Sequence, residues 1–163
     1  MDILGFDIET VPEHKDAWSD LKDAYVQSRL ARYDGDSPTT ESIKIQSINP
    51  YVGKIICIGV YEESMRYPHG QATEFVEDGF NDEKTLLSNF WDYISGFKGV
   101  FVSFNGLSFD VPFIRARSWH HKIPMRSLRF LQLRRFSTDP HFDVMRIFSN
   151  WEMPKAAHIV GIL

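Results

Sequence analysis

Apolar and polar positions along the chain fall into two rhythms. Ile3 to Glu9 is a short apolar run stopped at Val11-Pro12, and GKIICIGVYEE (residues 53–63) is a longer run of the same kind. QATEFVED (71–78) follows the turn-like YPHG, and GVFVSFNG (99–106) breaks at Asn105-Gly106. Runs of this length, rich in β-branched and aromatic residues and bounded by Gly, Pro or Asn, predict strands. Between them the spacing is helical. From about Glu13 to Tyr33, Trp18, Leu21, Tyr25 and Leu30 recur among charged residues as one amphipathic face. In FNDEKTLLSNFWDYISGF (80–97), Asn81 or Asp82 is the N-cap, and Leu86, Leu87, Phe90, Trp91 and Ile94 share a face. SFDVPFIRARSWHH (108–121) reads as a helix with Pro112 in its first turn, where a missing N–H costs nothing. FDVMRIFSNW (142–151) reads as another, starting near Asp143. YDGDSPTTES (33–42) has loop composition and is expected to be the most mobile segment, while LRFLQLRRF (128–136) fits strand or helix equally well. Strands that first pair locally and then alternate with helices predict an α/β domain with a mixed sheet flanked by helices.

Composition narrows the class. At 163 residues, 43% hydrophobic and 25% charged, the chain has the make-up of a single globular domain with a core of its own. Its one cysteine, Cys57, has no intramolecular partner and lies in an apolar run, so it is expected to be a buried thiol rather than a nucleophile. Acids at positions 2, 7 and 9 and no basic stretch speak against a signal peptide. No run is long enough to span a membrane, so no membrane partner is expected and the cytoplasm is the default compartment.

The net charge of −4 conceals a strong asymmetry. Between Val111 and Thr138 there is no acid, while Arg115, Arg117, Lys122, Arg126, Arg129, Arg134 and Arg135 give +7, leaving −11 for the rest. One face built for a polyanion explains this; a solvated basic face serving solubility explains it as well.

Two short stretches carry candidate chemistry. In FDIET, Asp7 and Glu9 stand two residues apart at the end of an apolar strand and so point to the same face. Like charges that close repel, and a bound cation is the simplest compensation. Solvated strand-end acids are the plainer account, because D-x-E alone is a weak motif. In FNGLSFD, a strand delivers Asn105 and Gly106, and Asp110 follows at the start of a helix. Asp110 suits a helix cap, or a third carboxylate at the sheet edge carrying Asp7 and Glu9. Three converging carboxylates are hard oxygen ligands suited to Mg²⁺ or Mn²⁺ rather than zinc. The histidines lack zinc-site spacing and read as surface or helix-end residues. A glycosidase using two of these carboxylates is a further possibility, but it leaves the basic window unexplained.

FDIET followed by FNGLSFD resembles the first two motifs of the DEDD (DnaQ-like) 3′–5′ exonuclease superfamily. The nearest likeness is to the group related to the proofreading exonuclease of family B DNA polymerases. PYVGKIICIGV (50–60) and HFDVMRIFSNW (141–151) extend the resemblance over most of the chain. It implies a ribonuclease-H-like fold and hydrolysis of nucleotides from a 3′ end with two Mg²⁺ or Mn²⁺ ions. By resemblance, Asp7, Glu9 and Asp110 are catalytic metal ligands, and Asn105 and Phe109 have supporting roles at the nucleic acid, with Phe109 suiting the core as well as a base-stacking platform. Arg115, Arg126 and Arg129, from the basic window, would hold a single strand or 3′ end, with DNA favoured over RNA. No protein partner is indicated.

The third family motif, Tyr-x₃-Asp or His-x₄-Asp, is absent: no Asp here has Tyr four before it or His five before it. The resemblance therefore implies a single exonuclease-like domain over 1–163, incomplete at its C-terminus and short of one ligand and the water-positioning residue. Turnover at this length is expected to be poor or absent, leaving a non-catalytic nucleic-acid-binding or interaction module as the alternative. Asp143 is a possible substitute ligand, with a helix N-cap its preferred role.

Overall fold

Strand β1 (Ile3–Pro12) is the centre around which the chain is organised. The computed structural model describes residues 1–14, 19–35, 37–78 and 82–152. After β1 come helices α1 (Asp20–Leu30) and α2 (Pro38–Ser47), strands β2 (Gly53–Glu63) and β3 (Gln71–Val76), and helix α3 (Glu83–Ile94). Strand β4 (Val100–Ser103), helix α4 (Asp110–His120), strand β5 (His141–Asp143) and helix α5 (Val144–Phe148) complete the order. The five strands form one sheet, β3-β2-β1-β4-β5. β2 pairs antiparallel with β1 and β3, whereas β4 runs parallel to β1 and β5 parallel to β4. This is the expected α/β fold with a mixed sheet.

Period-2 alternation decides which face is buried. Leu4, Phe6 and Ile8 of β1 lie against Ile58 and Val60 of β2 and Phe101 of β4 in one core. The predicted α3 face covers it with Leu86, Leu87, Phe90, Trp91 and Ile94, and α4 adds Val111, Phe113 and Ile114. Asp82 is the α3 N-cap, accepting from the Thr85 N–H at 2.8 Å. Trp91 Nε1 donates to Ser118 Oγ at 2.8 Å, so the two helices share a satisfied buried polar contact.

Four expectations change. LRFLQLRRF is neither strand nor helix but a series of turns. Phe130 anchors it in the core, its ring 5.0 to 5.5 Å from Phe6, Phe90, Trp91, Phe101 and His141. Helix α1 begins only at Asp20, and its inward residue is Val26; Leu21, assigned to the buried face, is 82% exposed. Trp18 lies outside the described residues. The second half of the supposed loop opens α2, because Pro38 at the first helical position suits a helix start. His141 is a core residue stacked on Phe101, its Nε2 2.7 Å from the Phe130 carbonyl oxygen. Burial holds its pKa below the ordinary value. No helix among the described residues is long and apolar enough to cross a membrane.

Candidate active site

With Leu4, Phe6 and Ile8 turned into the core, Asp7 and Glu9 must face away, and both are exposed. Opposite them on β2 stand Gly59 and Cys57. Cys57 is therefore half-buried on this outer face rather than in the core. Burial, with Glu74, Glu9 and Asp7 nearby, raises its pKa and keeps it a thiol.

Asp110 arrives by a different route. β4 pairs with β1 only from Ile3 to Gly5, and the chain then turns away. The turn is set by Asn105 in the left-handed region (φ 66°), which Asn tolerates better than most residues. Gly106 follows, where a Cβ would lie 2.2 Å from Ser103 Oγ. Helix α4 then starts with Asp110 as its first residue and Phe109 as its N-cap position, so Asp110 is not the cap. Its carboxylate accepts from the Ile8 N–H at 3.2 Å and is 2% exposed. The Asp7 carboxylate, one residue before Ile8 on β1, is near enough to act on it. Burial and then the Asp7 charge push the Asp110 pKa up to about 7, against the lowering effect of backbone N–H groups.

The expected trio is thus an Asp7–Asp110 pair, with Glu9 beside Asp7 on the same strand face. Among the described residues no three Asp, Glu, His or Cys side chains form a group able to hold a metal ion. β1 carries a bulge between Glu9 and Thr10, which shifts the strand just beyond Glu9.

Asp143 has a structural post. It is fully buried and caps α5, with the Arg146 N–H 3.3 Å from Oδ1. The same carboxylate accepts from the Asn105 N–H at 2.9 Å and the Leu107 N–H at 3.1 Å. It clamps the FNGLSFD turn from behind, and three backbone donors leave it poorly placed to ligate a cation. Phe109 packs against the core, its ring 5.5 Å from that of Phe113.

The basic window divides. Arg115 is half-buried, its guanidinium 5.5 Å from the Trp119 ring. Arg126 pairs with Asp92 at 2.6 Å. Arg129 pairs with Asp139 and donates to the Gly99 carbonyl at 3.0 Å. Gly99 precedes Val100, the β4 residue paired with Ile3, so Arg129 sits at the strand end opposite Asp7. The structure does not bring Arg126 and Arg129 to the carboxylates.

Arg117, counted in that window, is a core residue at 1% exposure. Its Nε and Nη2 grip Glu83 at 2.9 and 2.6 Å, and Nη2 also reaches Glu13 at 2.9 Å. Glu83 accepts in addition from the Ile55 N–H at 2.8 Å and lies 2.7 Å from His121 Nε2. Burial alone would raise the Glu83 pKa; His121, Arg117 and the Ile55 N–H outweigh it and bring it down to about 2. Glu13 follows directly on β1, so the cluster fixes that strand to the start of α3 and to α4. Helical spacing carried the signal: Arg117 is four residues after Phe113 and three after Ile114, on the apolar side of α4.

Residues 48–161 match the model of a family described as a predicted 3′–5′ exonuclease related to the exonuclease domain of PolB. The chain belongs to this family. That match spans Asn105, Asp110 and Asp143 and starts beyond Asp7 and Glu9. The fold is also that of a segment of the family B DNA polymerase from the hyperthermophilic archaeon Pyrobaculum calidifontis (TM-score 0.53, 16% identity). That likeness covers 99% of this chain and 18% of the polymerase, which makes the sheet and its helices ribonuclease-H-like. Comparison with curated proteins finds no significant match.

Proposed function

We propose that this domain is a metal-dependent 3′–5′ exonuclease acting on nucleic-acid 3′ ends, with Asp7 and Asp110 as its central acids. The observation that carries the reading is that buried Asp110 accepts from the Ile8 N–H, which sets it beside exposed Asp7, the preceding residue of β1. Two neighbouring carboxylates, one of them buried, favour either a shared proton or a cation. All their donor atoms are hard oxygens, so the donor set fits Mg²⁺ or Mn²⁺. Asp7 and Asp110 would hold the ion, with Glu9 alongside toward the terminal nucleotide. A bound ion of this kind supplies a more acidic water and charge neutralisation at phosphate.

The chain's own residues do the positioning. The Ile8 N–H holds Asp110 in place, and Asp143 fixes the turn that delivers it. Asn105 meets Asp143 through its backbone N–H, and its side-chain amide has no hydrogen bond among the described residues, which leaves it for a strand. Phe109 supports the turn from the core side, and Arg115 contributes a cation on the outer part of α4. A DNA strand is favoured over RNA because the family is related to a DNA polymerase's exonuclease domain.

The test pairs metal binding with turnover. Calorimetry with Mn²⁺ should show weak binding that disappears in Asp7→Ala. On an end-labelled single strand, any shortening should start at the 3′ end, stop in EDTA, and be slow, because the sequence supplies no third-motif Asp. Mn²⁺ binding undiminished by Asp7→Ala, or shortening that persists in EDTA, would overturn the proposal.

A further inference from the structure

Beside the acid pair lies a second feature that the carboxylates do not use. Leu107, Ser108, Leu133, Arg134, Arg135, Arg146 and Trp151 line a pocket of about 400 Å³. Three of its seven lining residues are arginines and none is an acid. Two of these arginines, Arg134 and Arg135, contrast with the other end of the basic window, where Arg126 and Arg129 are each neutralised by an aspartate. Arg134 and Arg135 have no carboxylate partner among the described residues and are exposed. Arg146 donates from Nη2 to Ser108 Oγ, which aims its guanidinium at the pocket's Ser108 wall.

The aromatic side of the pocket is held with equal care. The Trp151 ring lies 5.5 Å from that of Phe136, and the Arg135 guanidinium lies 4.8 Å from the Phe136 ring. Phe136 and Trp151 both have left-handed backbones, φ 60° and 63°, a conformation bulky residues rarely adopt. Strained backbone of this kind persists only where the surroundings impose it, and it clusters at functional sites. Guanidiniums beside an aromatic face are the combination that grips a phosphate while a base stacks. The volume matches that of a small-ligand pocket.

Position links the pocket to the acids. Ser108 is two residues before Asp110, so their Cα atoms are separated by no more than about 7 Å. Asp143, which takes the Leu107 N–H, holds this wall of the pocket and the turn into α4 as one unit.

We infer that this pocket is a subsite for one nucleotide of a single strand, with its phosphate between Arg134 and Arg135 and its base against Trp151. The inference rests on the nucleic-acid reading above and adds to it the residues that hold the strand. Leu107 and Leu133 give the sugar an apolar wall. Because the contacts are to phosphate and a π-face, the subsite tolerates any base.

The experiment measures binding of a short fluorescent oligothymidylate by anisotropy in EDTA, where turnover cannot intervene. Arg134→Ala/Arg135→Ala should weaken binding at least about tenfold and flatten the slope of log K against log salt by about 1.4, two single-strand phosphate contacts' worth. Trp151→Ala should weaken it several-fold with the slope unchanged. Arg126→Ala/Arg129→Ala removes the same formal charge and should stay within about twofold of the parent. Equal losses in the two arginine pairs would show a general charge effect and overturn the subsite. Displacement of the oligonucleotide by an equal concentration of thymidine monophosphate would overturn its assignment to a strand. The two proposals fail separately. Shortening in Mn²⁺ with binding unaffected by Arg134→Ala/Arg135→Ala leaves the nuclease and removes the subsite. Arginine-dependent binding without any metal-dependent shortening leaves the subsite and removes the nuclease.

Discussion

Glu83 and Asp110 are both buried acids, one packed against α4 and the other its first residue, and their surroundings treat them in opposite ways. Glu83, 5% exposed, meets a guanidinium, an imidazole and a backbone N–H, and its pKa falls to about 2. Asp110, 2% exposed, meets one backbone N–H from β1 and another carboxyl, and its pKa climbs to about 7. Burial opposes ionisation at both sites; what differs is the company. A buried charge matched by opposite charge is part of the scaffold. A buried acid set against a like charge has no such match among the described residues, and groups perturbed in this way cluster at functional sites.

The contrast between the two acids makes measurable demands. The largest expected effect is at the matched site. Arg117→Ala strands Glu83 and Glu13 without their shared cation and should lower stability in urea by about 3–5 kcal/mol. The double change Glu83→Gln/Arg117→Met should recover much of that loss. A cost under about 1 kcal/mol for Arg117→Ala would remove the clamp from the account.

At the incomplete site the sign should reverse. Asp110→Asn keeps an acceptor for the Ile8 N–H but removes a charge facing Asp7. Without metal at pH 8 its thermal midpoint should equal or exceed the parent's, while any metal-dependent turnover falls at least about a hundredfold. A clear loss of stability would make Asp110 a scaffold residue like Glu83.

Acid titration should separate the two kinds of acid. Glu83 has a folded pKa near 2 and an ordinary value of 4.5. Its stabilising contribution is therefore complete above about pH 4.5 and is lost as pH falls toward 2. Urea midpoints across that window should drop less steeply in Glu83→Gln/Arg117→Met than in the parent. The smallest effect calibrates the scale: Asp82 beside Glu83 is an exposed cap, and Asp82→Ala should cost about 1 kcal/mol.

Much of this arrangement was legible in the sequence, for physical reasons. Strand parity alone put Asp7 and Glu9 on one face, and helical spacing alone gave the buried stripe of α3. The N-cap role of Asp143 followed from its place before an apolar helical stretch. Long-range pairing was not legible. Arg126 and Arg129 look like their neighbours Arg134 and Arg135 in sequence, and only the fold places Asp92 against one and Asp139 against the other. Helix α1 misled because its apolar residues are nearly helically spaced, yet the chain presents Val26 inward and leaves Leu21 in water. LRFLQLRRF had no readable period because one side chain, Phe130, does most of its anchoring.

The amide of Ile8 has a use beyond holding Asp110. It lies where β1 has outrun its pairing with β4, and its acceptor is a side chain from the first residue of α4. Its exchange with deuterium therefore requires the start of α4 to lift away from the sheet, an event distinct from global unfolding. Compared with neighbouring β1 amides bonded to β2, the Ile8 rate is a clock for that single opening. A strand or an ion that seats α4 more firmly should slow this one position while leaving its neighbours unchanged.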